Sequence, residues 1–186
     1  MANKAKNVTM GKPKVGGAIF VAPIGTALPT DAETPLDGAF KSLGYAGEDG
    51  LTNSNSPETE KIKAWGGDTV LAYTKDKPDT FAFKLLEGLN EDVLKTVYGE
   101  KNISGTVATG LTIKANSNEI EESSWVFEMI LRGGIAKRVV IPSAKITEMG
   151  DIIYSEEDPV GYEVTITAFS DAEGNTHYEY LKGPAA

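Results

Sequence analysis

The chain has 186 residues, with 27 acids against 18 bases and a formal charge of −9. That length suits a single domain, which at this size buries roughly 70% of its unfolded surface and needs no metal or disulfide to hold a core. The absence of cysteine excludes a disulfide scaffold, thiolate catalysis and Cys-ligated zinc; the single histidine, His177, excludes a multi-His metal site; and the acidic balance argues against clamping nucleic acid through its phosphates.

Taken in chain order, residues 1–17 form a flexible basic arm. Lys4, Lys6, Lys12 and Lys14 give it a charge of +4, and it holds almost no large apolar residue to bury. The remainder then carries −13. The arm is either a solubilising tail or a segment that docks on an acidic neighbour. No apolar run follows its lysines, so no secretory signal is expected, and no stretch approaches the ~18 apolar residues of a membrane span.

A single domain is expected over 18–181, with 182–186 as a short tail. Its first strand is Ala18–Ala22, between Gly17 and Pro23. A polar, turn-rich segment fills about 24–39, and strand character returns at Lys41–Ala46. Residues 47–57, Gly-Glu-Asp-Gly-Leu-Thr-Asn-Ser-Asn-Ser-Pro, have the composition of a long loop. A hairpin is expected across Gly66-Gly67-Asp68, from Glu58–Trp65 to Thr69–Thr74. Over Asp79–Glu87, Phe81, Phe83 and Leu85 alternate with Thr80, Ala82 and Lys84, the period of a half-buried strand.

One helix is predicted, at about 90–98. Asn90 is a favourable N-cap, Glu91 and Asp92 suit the positive end of the helix dipole, and Gly99 supplies the stop. Val93, Leu94, Val97 and Tyr98 form its apolar stripe. Strand follows strand thereafter: Thr106–Ala115, Ser124–Arg132, a Gly133-Gly134 turn, Ile135–Ile141, Ala144–Met149, Val160–Thr167 and Thr176–Leu181. The expected fold is mainly β, an antiparallel β-sandwich or barrel with one short α-helix packed on the outside.

Motifs that carry chemistry are missing. His177 follows a turn and reads as a surface strand residue rather than a base. There is no Gly-x-Ser-x-Gly elbow and no phosphate-binding Gly-x-x-x-x-Gly-Lys-Ser/Thr loop. The acid pairs Glu121-Glu122 and Glu156-Glu157-Asp158 lack the spacing of calcium or glycosidase sites. No enzyme activity and no cofactor are expected. The unusual feature is that Trp125-Val126-Phe127, Met129-Ile130-Leu131 and Val139-Val140-Ile141 are apolar on both strand faces. Something must cover the outer face; the helix takes part of it, and a neighbouring subunit is the natural cover for the rest.

The runs Leu43–Thr52, Ser56–Glu60 and Lys63–Asp68, with Trp125–Ile130 and Gly161–Ala168, resemble the major tail (tail tube) proteins of long-tailed, non-contractile phages. The resemblance spans about Gly16 to Tyr180. It implies a virion structural protein made in the host cytoplasm. Six copies would form a ring, and rings would stack into a hollow tube that delivers DNA. The partners it implies are further copies of the chain, a tape measure protein, a distal tail (tip) protein and a tail terminator, with DNA passing through the lumen unread and no membrane. On this view Lys4, Lys6, Lys12 and Lys14 belong to an inter-subunit arm. Glu48, Asp49, Leu51, Asn53 and Asn55 belong to an inter-ring loop, and Trp65 is an interface residue. Glu128, Glu148 and Glu163, each on a strand face opposite a core residue, are expected to line the lumen and repel phosphate. Two other readings compete: a capsid decoration or neck protein, and a carbohydrate-binding β-sandwich with Trp65, Tyr45 and Tyr73 as an aromatic platform.

Overall fold

The computed structural model describes residues 3–184; residues 1 and 2 of the expected arm and 185 and 186 of the expected tail lie outside the described residues. The strands are β1 (Gly11–Pro13), β2 (Ile19–Pro23), β3 (Lys41–Ser42), β4 (Ala46–Ser54), β5 (Glu58–Lys63), β6 (Thr69–Asp76) and β7 (Thr80–Leu85). After the helix α1 (Glu91–Tyr98) come β8 (Ile103–Thr106), β9 (Gly110–Ile113), β10 (Ser123–Leu131), β11 (Ile135–Met149), β12 (Tyr162–Ala168) and β13 (Tyr178–Lys182). One large antiparallel sheet runs β3-β2-β10-β11-β12-β7-β4, with β1 beside β2 on β10 and β13 beside β12 on β11; β5-β6 and β8-β9 are separate hairpins.

The fifteen-residue β11 is where this sheet turns back on itself. Its first part, through Ala144, pairs with β10, and its last part, Ala144–Met149, pairs with β12. The halves then meet face to face: Phe83 lies 5.7 Å from Trp125 and 5.3 Å from Phe127, and Phe81 stacks 5.9 Å from Phe127. Val93, Leu94 and Val97 of α1 join this core. The helix begins where the Asn90 side chain accepts the Asp92 N–H at 3.0 Å, and ends at Gly99, whose φ of 88° suits a residue without Cβ. The mainly β, antiparallel, one-helix expectation therefore holds.

Four details differ from the sequence reading. Residues 46–54 are a strand, not a loop: they pair with β7, and they read as polar because an edge strand bathes most of its side chains in water. Thr106–Ala115 is broken, since Gly105 and Gly110 at positive φ bend 103–113 into a tight hairpin. The Gly133-Gly134 turn has three residues, because Leu131 pairs with Ile135. The outer face of Val126 and Val140 is covered by the chain itself, not by a neighbour. The connection between β2 and β3 folds across it, with Leu28, Leu36, Ala39 and Phe40 packing on Ala22, Val126 and Val140. Apolar residues on both strand faces thus bury two cores, one large and one small, inside one subunit.

Candidate functional site

Three surfaces remain after the cores are closed. The first is the outward face of β4-β7-β12-β11. Cross-strand pairing sets Thr52, Ala82 and Thr165 in one row with Glu148, and Ser54, Thr80 and Thr167 in the next with Lys145. Glu163 stands opposite Lys84. Thr147 occupies the register shift between Ile146 and Glu148, and its hydroxyl lies 2.9 Å from that of Thr167. This face is rich in hydroxyls and mixed in charge. Glu148 and Glu163 are exposed upon it, while Lys145 is neutralised by Glu119 at 2.7 Å.

The same half-sheet has two open lateral edges among the described residues. β4 pairs only with β7, and β11 beyond Ala144 pairs only with β12. Unpaired N–H and C=O groups there are a template for another strand. Glu48 and Asp49 are exposed on β4, and Leu51 turns inward onto the core. Asn53 donates to the buried carboxylate of Asp79 at 2.8 Å. That carboxylate also takes Thr176 and His177, each at 2.5 Å, so His177 is part of a structural knot between β4, β7 and the segment leading into β13. Asn55 is half-buried and its side-chain oxygen has no partner.

The third surface is the β5–β6 hairpin. Every residue of both strands is exposed. Ile62 faces Leu71 and Glu60 faces Tyr73. Glu60 accepts from the Tyr73 hydroxyl and the Lys75 ammonium, and these bonds hold its carboxyl below the usual range. Trp65 sits fully exposed at the tip, beside Gly66 and Gly67, both at positive φ. A two-stranded ribbon without a covering layer is marginally stable alone. Tyr45 is not near this hairpin. It precedes Ala46, which pairs with Leu85 at the far end of β7 from Thr80, so the three aromatic rings form no platform within one chain.

Glu128, expected to line the lumen, is not an exposed acid. It is 5% exposed and lies on β10 directly opposite Arg138 of β11, which is 1% exposed. Arg138 donates Nε to Glu128 Oε1 at 2.9 Å and Nη2 to the same oxygen, and its Nη1 donates to the Asp31 carbonyl at 2.8 Å. The β2–β3 connection seals the pair from solvent. Period-2 alternation placed Glu128 opposite Phe127 correctly, but it is blind to what covers that face. A usable signal existed: Glu128 and Arg138 stand five residues either side of Gly133, where a hairpin brings opposite charges together. Nearby, Asp31 accepts from the Thr34 hydroxyl and from the Thr34 and Glu33 N–H groups, which holds its carboxyl at about 2.

The arm is attached. β1 pairs with Met129–Leu131 of β10, Lys14 meets Glu128 Oε2 at 2.7 Å, and Thr9 accepts the Arg132 N–H at 2.9 Å. Lys4, Lys6 and Lys12 remain exposed. Among the described residues no group of His, Asp and Glu side chains is placed to hold a metal, and no helix is long and apolar enough to cross a membrane.

Comparison with known families decides what these surfaces belong to: the model for phage tail tube proteins matches residues 1–184. The chain belongs to the phage tail tube protein family. No curated protein matches it. Among solved structures, it is similar to the tube-terminating cap of an anti-feeding prophage, at 10% identity and a TM-score of 0.43, with 98% of this chain and 100% of that one covered. As a tail tube protein it is a structural component of a phage tail. Its open sheet edges and bare hairpin are accordingly the surfaces on which assembly contacts are to be sought.

Proposed function

We propose that copies of this chain join into rings, six to a ring as its resemblance to the long-tailed, non-contractile phages implies, and that the rings stack into the tube through which DNA leaves the virion. One observation carries the reading: a four-stranded half-sheet, β4-β7-β12-β11, ends on both sides in unpaired strand. The free edge of β4 on one copy and that of β11 from Lys145 to Met149 on the next are unlike surfaces. Contacts between unlike surfaces propagate head to tail, and they close into a ring where the rotation permits. The face these strands share becomes the lumen wall. Glu148 and Glu163 on it face the phosphates, and the threonine rows offer neutral hydroxyls. A duplex then slides along a weakly charged wall rather than adhering to it.

On this reading the chain does no bond chemistry. The tape measure protein, distal tail protein and terminator meet the tube at its lumen and ends, and Lys4, Lys6 and Lys12 of the arm lie free to meet neighbouring acids. The test is electron microscopy of purified protein, alone and with a tail initiator. Hollow tubes or stacked rings are expected; a persistent monomer in the presence of initiator refutes the reading. For the wall, Glu148→Lys with Glu163→Lys should slow DNA ejection, and normal ejection by such virions removes the acids from that role.

A further inference from the structure

The chain holds two Asp–Gly dipeptides, Asp37–Gly38 and Asp49–Gly50. Such a dipeptide has a chemistry of its own. The glycine nitrogen can attack the aspartate γ-carbon, because no Cβ crowds the approach and glycine turns freely to the required angle. The fold sets the two sites apart. At Asp37 the carboxylate accepts the Ala39 N–H at 2.9 Å, the Asp37 carbonyl accepts the Phe40 N–H at 3.0 Å, and Phe40 is buried in the smaller core. Turn and core together fix that side chain on Ala39. Asp49 is held by nothing of the kind. Ala46 pairs with Leu85 and Leu51 with Phe83, so Gly47, Glu48, Asp49 and Gly50 stand against Lys84 alone, a bulge on the open edge of β4. Asp49 is exposed, and among the described residues its carboxylate has no hydrogen-bond or ion-pair partner. Gly50 is exposed at a φ of +72°, and nothing lies within 4 Å of where its Cβ would stand.

We propose that Asp49–Gly50 is a site of spontaneous aspartate isomerisation, and that the isomerised chain is excluded from the tube. The second half rests on the ring-and-tube reading; the first stands without it. In the first step the Gly50 nitrogen bonds to Asp49 Cγ. Its proton and the carboxyl hydroxyl leave as one water, and a succinimide ring closes. One water then opens the ring. Cleavage of the new bond returns aspartate. Cleavage of the original peptide bond leaves isoaspartate, with the chain running through Cβ and a free carboxylate on Cα. Water lost and water gained balance, so no other reactant is needed and mass is unchanged. The backbone is now longer by one carbon. Ala46 and Leu51 pin the ends of the bulge to β7, and a Cβ on Gly47 would already stand 3.1 Å from Cβ of Lys84. The added atom therefore cannot be taken up on the β7 side. It pushes the bulge off the free edge of β4, where the proposed neighbour joins, and obstructs the strand that would pair there.

The test ages the purified wild-type chain in warm neutral buffer and follows isoaspartate by peptide mapping with enzymatic methyl labelling. Lys41 lies between the two dipeptides, so trypsin places them on separate peptides. Isoaspartate should build up at residue 49 at least about tenfold faster than at residue 37, because only the former is free to reach the attacking geometry. No isoaspartate at residue 49, or equal rates at both sites, overturns the site. Asp49→Glu keeps the charge but would need a larger, less readily closed ring, and should abolish the signal; a signal of unchanged size overturns the assignment. The aged wild type is then polymerised and the tubes are pelleted. Isoaspartate at residue 49 should be depleted in the pellet and enriched among the chains left in solution. The same share in both fractions overturns the exclusion. Failure of fresh chain to polymerise removes the tube reading and the exclusion with it, while the peptide map still decides the site.

Discussion

Replacing Glu128 by glutamine distinguishes a buried structural acid from a lumen acid. Glu128 and Arg138 are both almost inaccessible, and Glu128 Oε1 takes two guanidinium donors. Glu128→Gln keeps the shape but strips the negative charge, leaving Arg138 with the Asp31 carbonyl and a carboxylate 3.8 Å away. Removing one partner of a buried pair costs about 3–5 kcal/mol. In a domain of this size each kcal/mol moves the melting temperature by about 2–4 °C, so a fall of roughly 6–20 °C is expected. Lys14→Ala should cost no more than about 1 kcal/mol, because the Lys14 side chain is 42% exposed and its ion pair is screened. Glu128→Leu with Arg138→Met removes both charges and should be more stable than Glu128→Gln, since no buried charge is orphaned. Urea unfolding followed by far-ultraviolet circular dichroism measures all three. A loss below about 1 kcal/mol for Glu128→Gln refutes the reasoning and returns Glu128 to the exposed acids.

Burial beside the Tyr98 and Tyr154 hydroxyls pushes the Tyr162 phenol up to about 12, against about 10 unfolded. Its contribution is therefore intact below pH 10 and is lost as pH rises from 10 to 12, by at most about 1.4 kcal/mol per unit; Tyr162→Phe should flatten that part of the stability curve, and an unchanged slope would count against it. Gly105→Ala would set a Cβ 2.1 Å from the Gly110 carbonyl oxygen at a φ of +84°, so the β8–β9 hairpin must open, and amide exchange at 103–113 should quicken. Trp125 is buried and Trp65 is bare, so assembly should shift emission to the blue in the wild type and leave Trp65→Phe unshifted; a shift that persists in Trp65→Phe places the burial elsewhere.

What the sequence reveals follows from how local each signal is. Asn90, the Val93-Leu94-Val97 stripe and Gly99 define a helix within ten residues, and all three features appear where expected. The Phe81-Phe83-Leu85 alternation works because one face of β7 is core and the other is wet. The β4 strand was illegible because Gly47 to Ser54 carries one inward apolar residue, Leu51, and its pairing depends on β7, some thirty residues away. The β2–β3 cover was equally hidden: Leu28, Leu36 and Phe40 are spaced like nothing periodic, and only the folded sheet shows that they converge on Val126 and Val140. The hairpin strands were legible, but their complete exposure was not, since Ile62, Leu71 and Tyr73 look like core in one dimension.

That last contrast bears on where an assembly site resides in a protein of this kind. The residues with the strongest apolar signal, on β10 and the first half of β11, are spent inside the subunit, against β7, β12 and α1 on one face and the β2–β3 connection on the other. The surfaces left for neighbours are weaker in composition: a polar edge strand, a threonine-rich face and a ribbon holding one bare tryptophan. On the proposed tube reading, weak surfaces suit a chain whose contacts are made together rather than singly. In the proposed tube a copy adding at an end would meet a neighbour along its β4 or β11 edge and the ring beneath it at the same time. Linked contacts multiply through effective concentration. On that reading the free chain would gain little from a single encounter, while addition at a tube end, where several surfaces are met together, would be favoured.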